Sequence, residues 1–124
     1  MTPRLLLPAA LLASLATVPS AATAAAAPKP LRCASADLRY GIQDGMPHDF
    51  GVWRLKVTGG TCATAHRVAK TWQRRFERSP TARLPRTVRG FRFRQLPPNA
   101  AQTYRLRGTR AATIVRFDYV VPNG

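Results

Sequence analysis

Apolar and polar residues alternate along four stretches of the chain, which predicts half-buried β-strands. In the first stretch Trp53, Leu55 and Val57 share one predicted face, and the intervening charged residues share the other. The alternating stretches are residues 50–58, 86–96, 102–107 and 113–121. The last two are predicted to form a hairpin around Gly108-Thr109-Arg110, and Pro97-Pro98-Asn99 is expected to end the stretch before them. Residues 31–40 are predicted to be extended and residues 41–49 to form a loop.

The stretch between residues 61 and 78 repeats instead with the period of an α-helix. Thr61 is a suitable N-cap because its hydroxyl can accept an amide of the first turn, and Ser79-Pro80 ends the pattern. One amphipathic helix and strands with one apolar face predict an α+β domain, in which the helix packs on a small antiparallel sheet of four to five strands. The stripe that would face the core consists of Cys62, Ala65, Val68, Ala69, Trp72 and Phe76.

The first thirty residues have the three-part pattern of a secretory signal. A short positive segment ends at Arg4, an apolar run spans residues 5–18, and a tail of small residues follows. Cleavage is expected after Ala24 or after Ala26. The sequence therefore predicts a signal peptide over residues 1–26 and a single small secreted, extracellular domain over residues 27–124.

Two cysteines, Cys33 and Cys62, remain in the predicted domain. An exported protein folds in an oxidising compartment, so we expect one intramolecular disulfide rather than two free thiols. A bridge that closes a loop of about 29 residues contributes about 3 to 4 kcal/mol to stability. No His residues accompany the cysteines at zinc-ligand spacing, so no metal site is predicted and no cofactor is implied.

The charge of the chain indicates the sign of its partner. Twenty Lys and Arg residues stand against five Asp and Glu residues, a formal net charge of +15. A field of this sign attracts an anionic polymer or an anionic membrane surface at long range. The competing interpretation is that the arginines reflect composition and solubility alone, and the two are evenly balanced because net charge does not identify a site.

The predicted helix also carries a basic stripe on an outward side. Its members are spaced by three and four residues, so they lie one above another along the helix. A cationic ridge of this kind can follow a polyanion, and the same residues also suit an ordinary solvated helix exterior. The candidate anion-binding residues are Arg67, Lys70, Arg74 and Arg78.

Few residues are available for catalysis. A small basic ribonuclease would need a His together with a Glu or a second His to move protons. His66 and Glu77 are the candidate pair for this role. His48 lies in a loop rich in Pro and Gly. We therefore identify no catalytic residue. The sequence favours a disulfide-stapled binding module for anionic partners, with a small ribonuclease-like enzyme or an enzyme inhibitor as alternatives.

Two further segments bear on these alternatives. An inhibitor would present an exposed rigid loop, for which residues 80–85 or Pro97-Pro98 are candidates. The run Arg89-Gly90-Phe91-Arg92-Phe93 superficially resembles the RNA-binding strand of an RRM. Ordinary strand alternation places Phe91 and Phe93 in the core instead.

The start of the helix resembles a group of small secreted proteins, abundant in actinobacteria, to which no activity is assigned. The residues that carry the resemblance are Gly60, Thr61, Cys62, Ala63, Thr64, Ala65, Val68, Ala69 and Trp72. The resemblance implies export and a disulfide between a cysteine on the first strand and the cysteine at the helix start, which are Cys33 and Cys62 here. It implies no activity.

The chain departs from that pattern because a second cysteine pair is absent from its sequence. Phe93, and one of Arg105 or Leu106, stand where those cysteines are expected. We hypothesise that an apolar contact between Phe93 and Leu106 replaces the second bridge.

Overall fold

One α-helix, one short 3₁₀ helix and seven strands make up the regular structure of the described residues. The computed structural model describes residues 28–122, apart from the side chains of residues 98–100, so the predicted signal peptide lies outside the described residues. The helix, α1, spans Cys62–Arg78, and a short 3₁₀ helix spans Ala36–Leu38. The strands are β1 (Leu31–Arg32), β2 (Arg39–Tyr40), β3 (Phe50–Thr58), β4 (Thr87–Val88), β5 (Phe91–Ala100), β6 (Thr103–Arg110) and β7 (Thr113–Val120).

The seven strands form one antiparallel sheet in the order β1-β3-β7-β6-β5-β4. β1 pairs near the end of β3, and β2 pairs with the beginning of the same strand. The α+β class is confirmed, and the prediction of four to five strands is wrong. The additional strands, β1, β2 and β4, contain two residues each. Two residues are too few to show alternation, so tertiary pairing and not local pattern defines these strands.

Helix α1 agrees with its sequence prediction at both ends. The Thr61 hydroxyl accepts the amide of Thr64 at 3.2 Å, which caps the first turn. After Arg78 the chain leaves the helical conformation at Ser79. Every predicted core residue of the helix is buried except the half-buried Cys62, and the buried set is Ala65, Val68, Ala69, Trp72, Gln73 and Phe76.

A β-bulge in β3 corrects the predicted face of Trp53. The register with β7 shifts between Trp53 and Lys56, and Arg54 within the bulge has a φ of 55°. The extra residue reverses the alternation, so Val52 rather than Trp53 joins Leu55 in the core. The Trp53 ring lies on the opposite face, where the Arg39 guanidinium packs over it at 3.7 Å from the ring centroid.

The predicted turn around Gly108 is also wrong. Gly108 lies inside β6, and the hairpin turns at Ala111 and Ala112. The glycine is needed because the Phe93 ring of β5 packs over it: a Cβ at this position would lie 2.5 Å from a ring carbon. Phe93 is thus in register with Gly108, whereas Leu106 is in register with Gln95.

Strand β5 continues through Pro97 and Pro98, which were expected to end it. β4 pairs with β5 only at Arg92 and Phe91, so the later part of β5 lies at the edge of the sheet. Proline is tolerated on an edge strand because its missing N–H is not required by a partner.

The core lies between α1 and one face of the sheet, around Trp72. The Trp72 ring stacks on Phe76 at 5.3 Å and meets Phe117 and Tyr119 edge-on at 5.3 and 5.1 Å. No helix of the described residues lies on the other sheet face, and none is long and apolar enough to cross a membrane.

The predicted disulfide joins Cys33, directly after β1, to Cys62, the first residue of α1. The two Cα atoms are 5.3 Å apart. The Cys33 amide donates to the Leu55 carbonyl at 2.8 Å. The bridge therefore ties the start of the helix to the edge of the sheet.

Replacement of Cys33 and Cys62 by Ser is expected to lower the free energy of unfolding by about 3 to 4 kcal/mol, because the unfolded chain regains the freedom of the closed loop. Urea unfolding monitored by far-ultraviolet circular dichroism measures this loss. A reductant should lower the stability of the wild type to that of the variant and leave the variant unchanged. Equal stability of the oxidised wild type and the variant would contradict the assignment.

Candidate anion-binding site

The four helix residues predicted to bind anions form one exposed ridge. Arg67, Lys70, Arg74 and Arg78 are all exposed on the side of α1 away from the sheet. Eleven residues at 1.5 Å per residue give this ridge a length of about 16 Å. The ion pairs found among the described residues include none of the four, so the charge of the helix ridge is not neutralised within that part of the chain.

A second set of cations lies across the uncovered face of the sheet. Lys56 on β3 is in register with Arg116 on β7, which is in register with Arg107 on β6. Arg107 is in turn in register with Arg94 on β5. Directly opposed residues of antiparallel strands have Cβ atoms about 5 Å apart, so these four cations form a row about 15 Å long. We call this set the cationic row.

No member of the cationic row forms an ion pair with a carboxylate of the described residues. The Nε of Arg107 is buried and has no hydrogen-bond partner there. Arg94 and Arg116 are exposed, while Lys56 and Arg107 are half-buried. The row therefore brings like charges together at positions fixed by the backbone of four strands.

One carboxylate, Asp118, lies beside the cationic row on the same face. Its oxygens are 3.5 Å from Arg54 and 3.6 Å from Arg105, and the residue is 9% exposed. In β7 it comes two residues after Arg116 and therefore shares its face. Asp118 thus partly neutralises Arg54 and Arg105 and leaves the row unpaired.

Sequence reasoning identified the ridge but missed the cationic row. Basic residues alternate with apolar ones in β5, β6 and β7, and this pattern shows that each strand has a charged face. The register of Arg107 with Arg116 depends on the turn at Ala111–Ala112, and the register of Arg94 with Arg107 depends on the turn between β5 and β6. Neither register can be read from one strand. The ridge and the row face opposite directions, because α1 covers the other side of the sheet.

The structure does not bring the candidate proton-transfer residues together. His66 Nε2 lies 2.7 Å from an oxygen of Asp37 and not beside Glu77. His66 and Glu77 are eleven residues apart on α1, which separates them by about 16 Å along the helix axis. His48 is exposed in the loop before β3. The His66–Asp37 pair lies on the surface, with side chains 31% and 64% exposed, where an ion pair contributes little.

The shifted pKa of Glu77 comes without a charged partner, and no metal cluster is found among the described residues. Burial raises the pKa of the Glu77 carboxyl above its ordinary value, with no charged partner as the cause. No group of three or more His, Cys, Asp or Glu side chains in residues 28–122 is arranged to hold a metal ion.

The aromatic side chains bear on the kind of ligand that the sheet can recognise. Phe91 and Phe93 are buried, as their alternation predicted, so they are unavailable for stacking on bases. No aromatic side chain of the described part of the chain is fully exposed. The half-buried Trp53 ring lies on the uncovered face beneath the Arg39 guanidinium, so that face offers mainly charge and one partly covered ring.

The loop proposed for an inhibitor is exposed from Pro80 to Arg83, and its end at Leu84 packs against the core.

Comparison with known proteins supplies no relative from which a function can be transferred: no family model, no curated protein and no solved structure matches this chain.

The cationic row should lower the stability of the protein at low ionic strength, because like charges directly opposite each other in a sheet are destabilising. Arg116 has such a neighbour on both sides. Arg116→Gln is therefore expected to raise the free energy of unfolding by about 0.5 to 2 kcal/mol in dilute buffer. Urea unfolding at low and high NaCl measures the change, and the gain should shrink at high salt as the charges are screened.

Arg83→Gln is the matched control, since it removes the same charge from an exposed loop outside the row. Its effect on the free energy of unfolding should be smaller at both salt concentrations. If both variants change stability equally, the row has no local repulsion and the prediction is wrong.

Proposed function

We propose that this protein is a secreted, disulfide-linked binding module that captures anionic polymers on the uncovered face of its sheet. The cationic row of Lys56, Arg94, Arg107 and Arg116 makes the principal contacts, and the helix ridge forms a weaker second strip. We also propose that the protein is secreted. In the same proposal, it is similar to the small exported proteins whose helix starts with Gly-Thr-Cys-Ala-Thr-Ala.

The observation that carries this proposal is the register that places four cations side by side without a carboxylate between them. Such an arrangement costs folding free energy, roughly 0.2 to 1 kcal/mol for each opposed pair. Sequences break a local rule of this kind most often at functional sites. An anionic polymer laid across the row would remove the repulsion, so it would interact with the folded protein more favourably than with the same number of scattered cations.

The chemistry of the row favours a polymer recognised by its charge. Three of the four residues are arginines, whose planar guanidinium groups bind carboxylate and phosphate oxygens in pairs. The Trp53 ring on this face is half-buried and covered by the Arg39 guanidinium, which argues against recognition of single-stranded bases by stacking. Contacts to a phosphate backbone would then be independent of sequence.

The sheet is a better anion site than the ridge for a structural reason. The four row residues belong to four strands paired side by side, so the row runs across a surface, whereas the ridge is one line along a helix. Arg92 adds a further exposed cation on the sheet face, and Arg54 and Arg105 there share the carboxylate of Asp118. Placement of cations before binding reduces the ordering cost of association.

Two variants with equal charge change test the proposal. The row variant is Lys56→Gln, Arg94→Gln, Arg107→Gln and Arg116→Gln; the ridge variant is Arg67→Gln, Lys70→Gln, Arg74→Gln and Arg78→Gln. Binding to duplex DNA is measured by fluorescence anisotropy over a range of salt concentrations. We expect the row variant to lose affinity and its slope of log K against log salt to fall by about 3 to 4, as the loss of four phosphate contacts requires.

The ridge variant should retain most of the affinity and most of the slope. Equal losses in the two variants would show that binding follows total charge, and a loss confined to the ridge variant would move the site to the helix. Because Arg107 is half-buried, the double variant Arg94→Gln/Arg116→Gln, with both positions exposed, repeats the test without a buried change. Polyglutamate and anionic vesicles in parallel distinguish phosphate polymers from carboxylate polymers and from membrane surfaces.

A further inference from the structure

A cleft of about 900 Å³ opens at the carboxyl end of α1, between the loop that follows the helix and the outer edge of β5. Its volume lies in the range of small-molecule sites. The cleft is distinct from the helix ridge, since no ridge residue lines it, and it meets the cationic row only at Arg94.

The base of the cleft is apolar. Phe93 and Leu106 belong to the core and reach its inner wall, and the half-buried Leu84 and Pro85 form the opposite side. A ligand with an apolar body would remove this surface from water, with a gain of about 25 cal/mol for each Å² of apolar area buried.

The rim of the cleft is cationic. Arg75, Arg83, Arg86 and Arg94 all line it, and no carboxylate does. None of these four takes part in an ion pair of the described residues. The carboxyl end of α1 contributes a negative partial charge of about half an electron, which four guanidinium groups exceed. The rim therefore favours a negatively charged ligand.

Hydrogen bonds hold the rim in position. Arg75 donates through Nη1 to the Thr87 carbonyl at 2.7 Å, which fixes its guanidinium across the cleft and leaves further donors available. The Arg83 amide donates to the Ser79 hydroxyl at 3.0 Å, and the Arg86 carbonyl accepts from the Phe93 amide at 2.7 Å. Arg83 and Arg86 thus extend from anchored backbone, so a ligand would have to order their side chains but not the loop that carries them.

We propose that this cleft is a binding site for a small amphipathic anion, a molecule with one phosphate or carboxylate head group and an apolar body. The head group pairs with the guanidinium groups of Arg83 and Arg86, and the apolar body lies on Phe93, Leu84 and Pro85. The site goes beyond the capture of polymers, because it needs both the charge and the apolar surface.

The oxidised protein is titrated with decyl phosphate below its micelle concentration by isothermal calorimetry, with inorganic phosphate and decyl maltoside as the head-group and chain controls. We expect decyl phosphate to bind at least tenfold more tightly than either control. Arg83→Gln/Arg86→Gln should lower its affinity at least tenfold. Decanoate in place of decyl phosphate distinguishes a carboxylate head group from a phosphate.

Arg67→Gln/Lys70→Gln is the matched control, because it removes two charges from the helix ridge and should leave decyl phosphate binding unchanged. Equal losses in the two double variants, or equal binding of inorganic phosphate, would overturn the proposal in favour of diffuse charge. Binding of an acidic peptide without binding of decyl phosphate would also overturn it. Duplex DNA binding by Arg83→Gln/Arg86→Gln should persist, so failure here is separable from failure of the cationic row.

Discussion

The burial of Trp72 between helix and sheet is the interaction on which the rest of the structure depends. Its ring contacts Phe76 on its own helix and Phe117 and Tyr119 on β7, the strand in the middle of the sheet. Because α1 covers only one face of the sheet, most of the large apolar side chains meet on that side. The opposite face carries the cationic row together with the half-buried Trp53.

The like charges on the uncovered face lower the stability of the sheet. Three opposed like-charge pairs in the cationic row cost about 0.6 to 3 kcal/mol in total. The Cys33–Cys62 bridge contributes about 3 to 4 kcal/mol by closing its loop, which is enough to offset the repulsion. The covalent link also fastens the short β1 to the helix, where a two-residue strand alone would be marginal. The disulfide and the basic face therefore contribute with opposite sign to the same free energy of folding.

Local patterns predicted the parts of the fold that local physics decides. The helix, its Thr61 cap and its apolar stripe follow from periodicity and side-chain chemistry, and so does the strand over residues 50–58. The bulge that moves Trp53 to the other face depends on pairing with β7, and the position of Gly108 inside β6 depends on the Phe93 ring of a neighbouring strand. Both are decided by contacts between strands, which no single stretch of sequence contains.

The candidate sites also differ in whether one element of the chain defines them or several elements together do. The helix ridge was predictable because its four members are spaced within one helix, whereas the row and the cleft join residues from several elements. Net charge explains attraction over distances up to the screening length of about 8 Å, and it acts alike at every basic surface. Only placement distinguishes one surface from another: register aligns the row, and hydrogen bonds to Ser79, Thr87 and Phe93 fix the rim of the cleft. Specific recognition by a chain this basic must therefore come from the positions of its arginines rather than from their number.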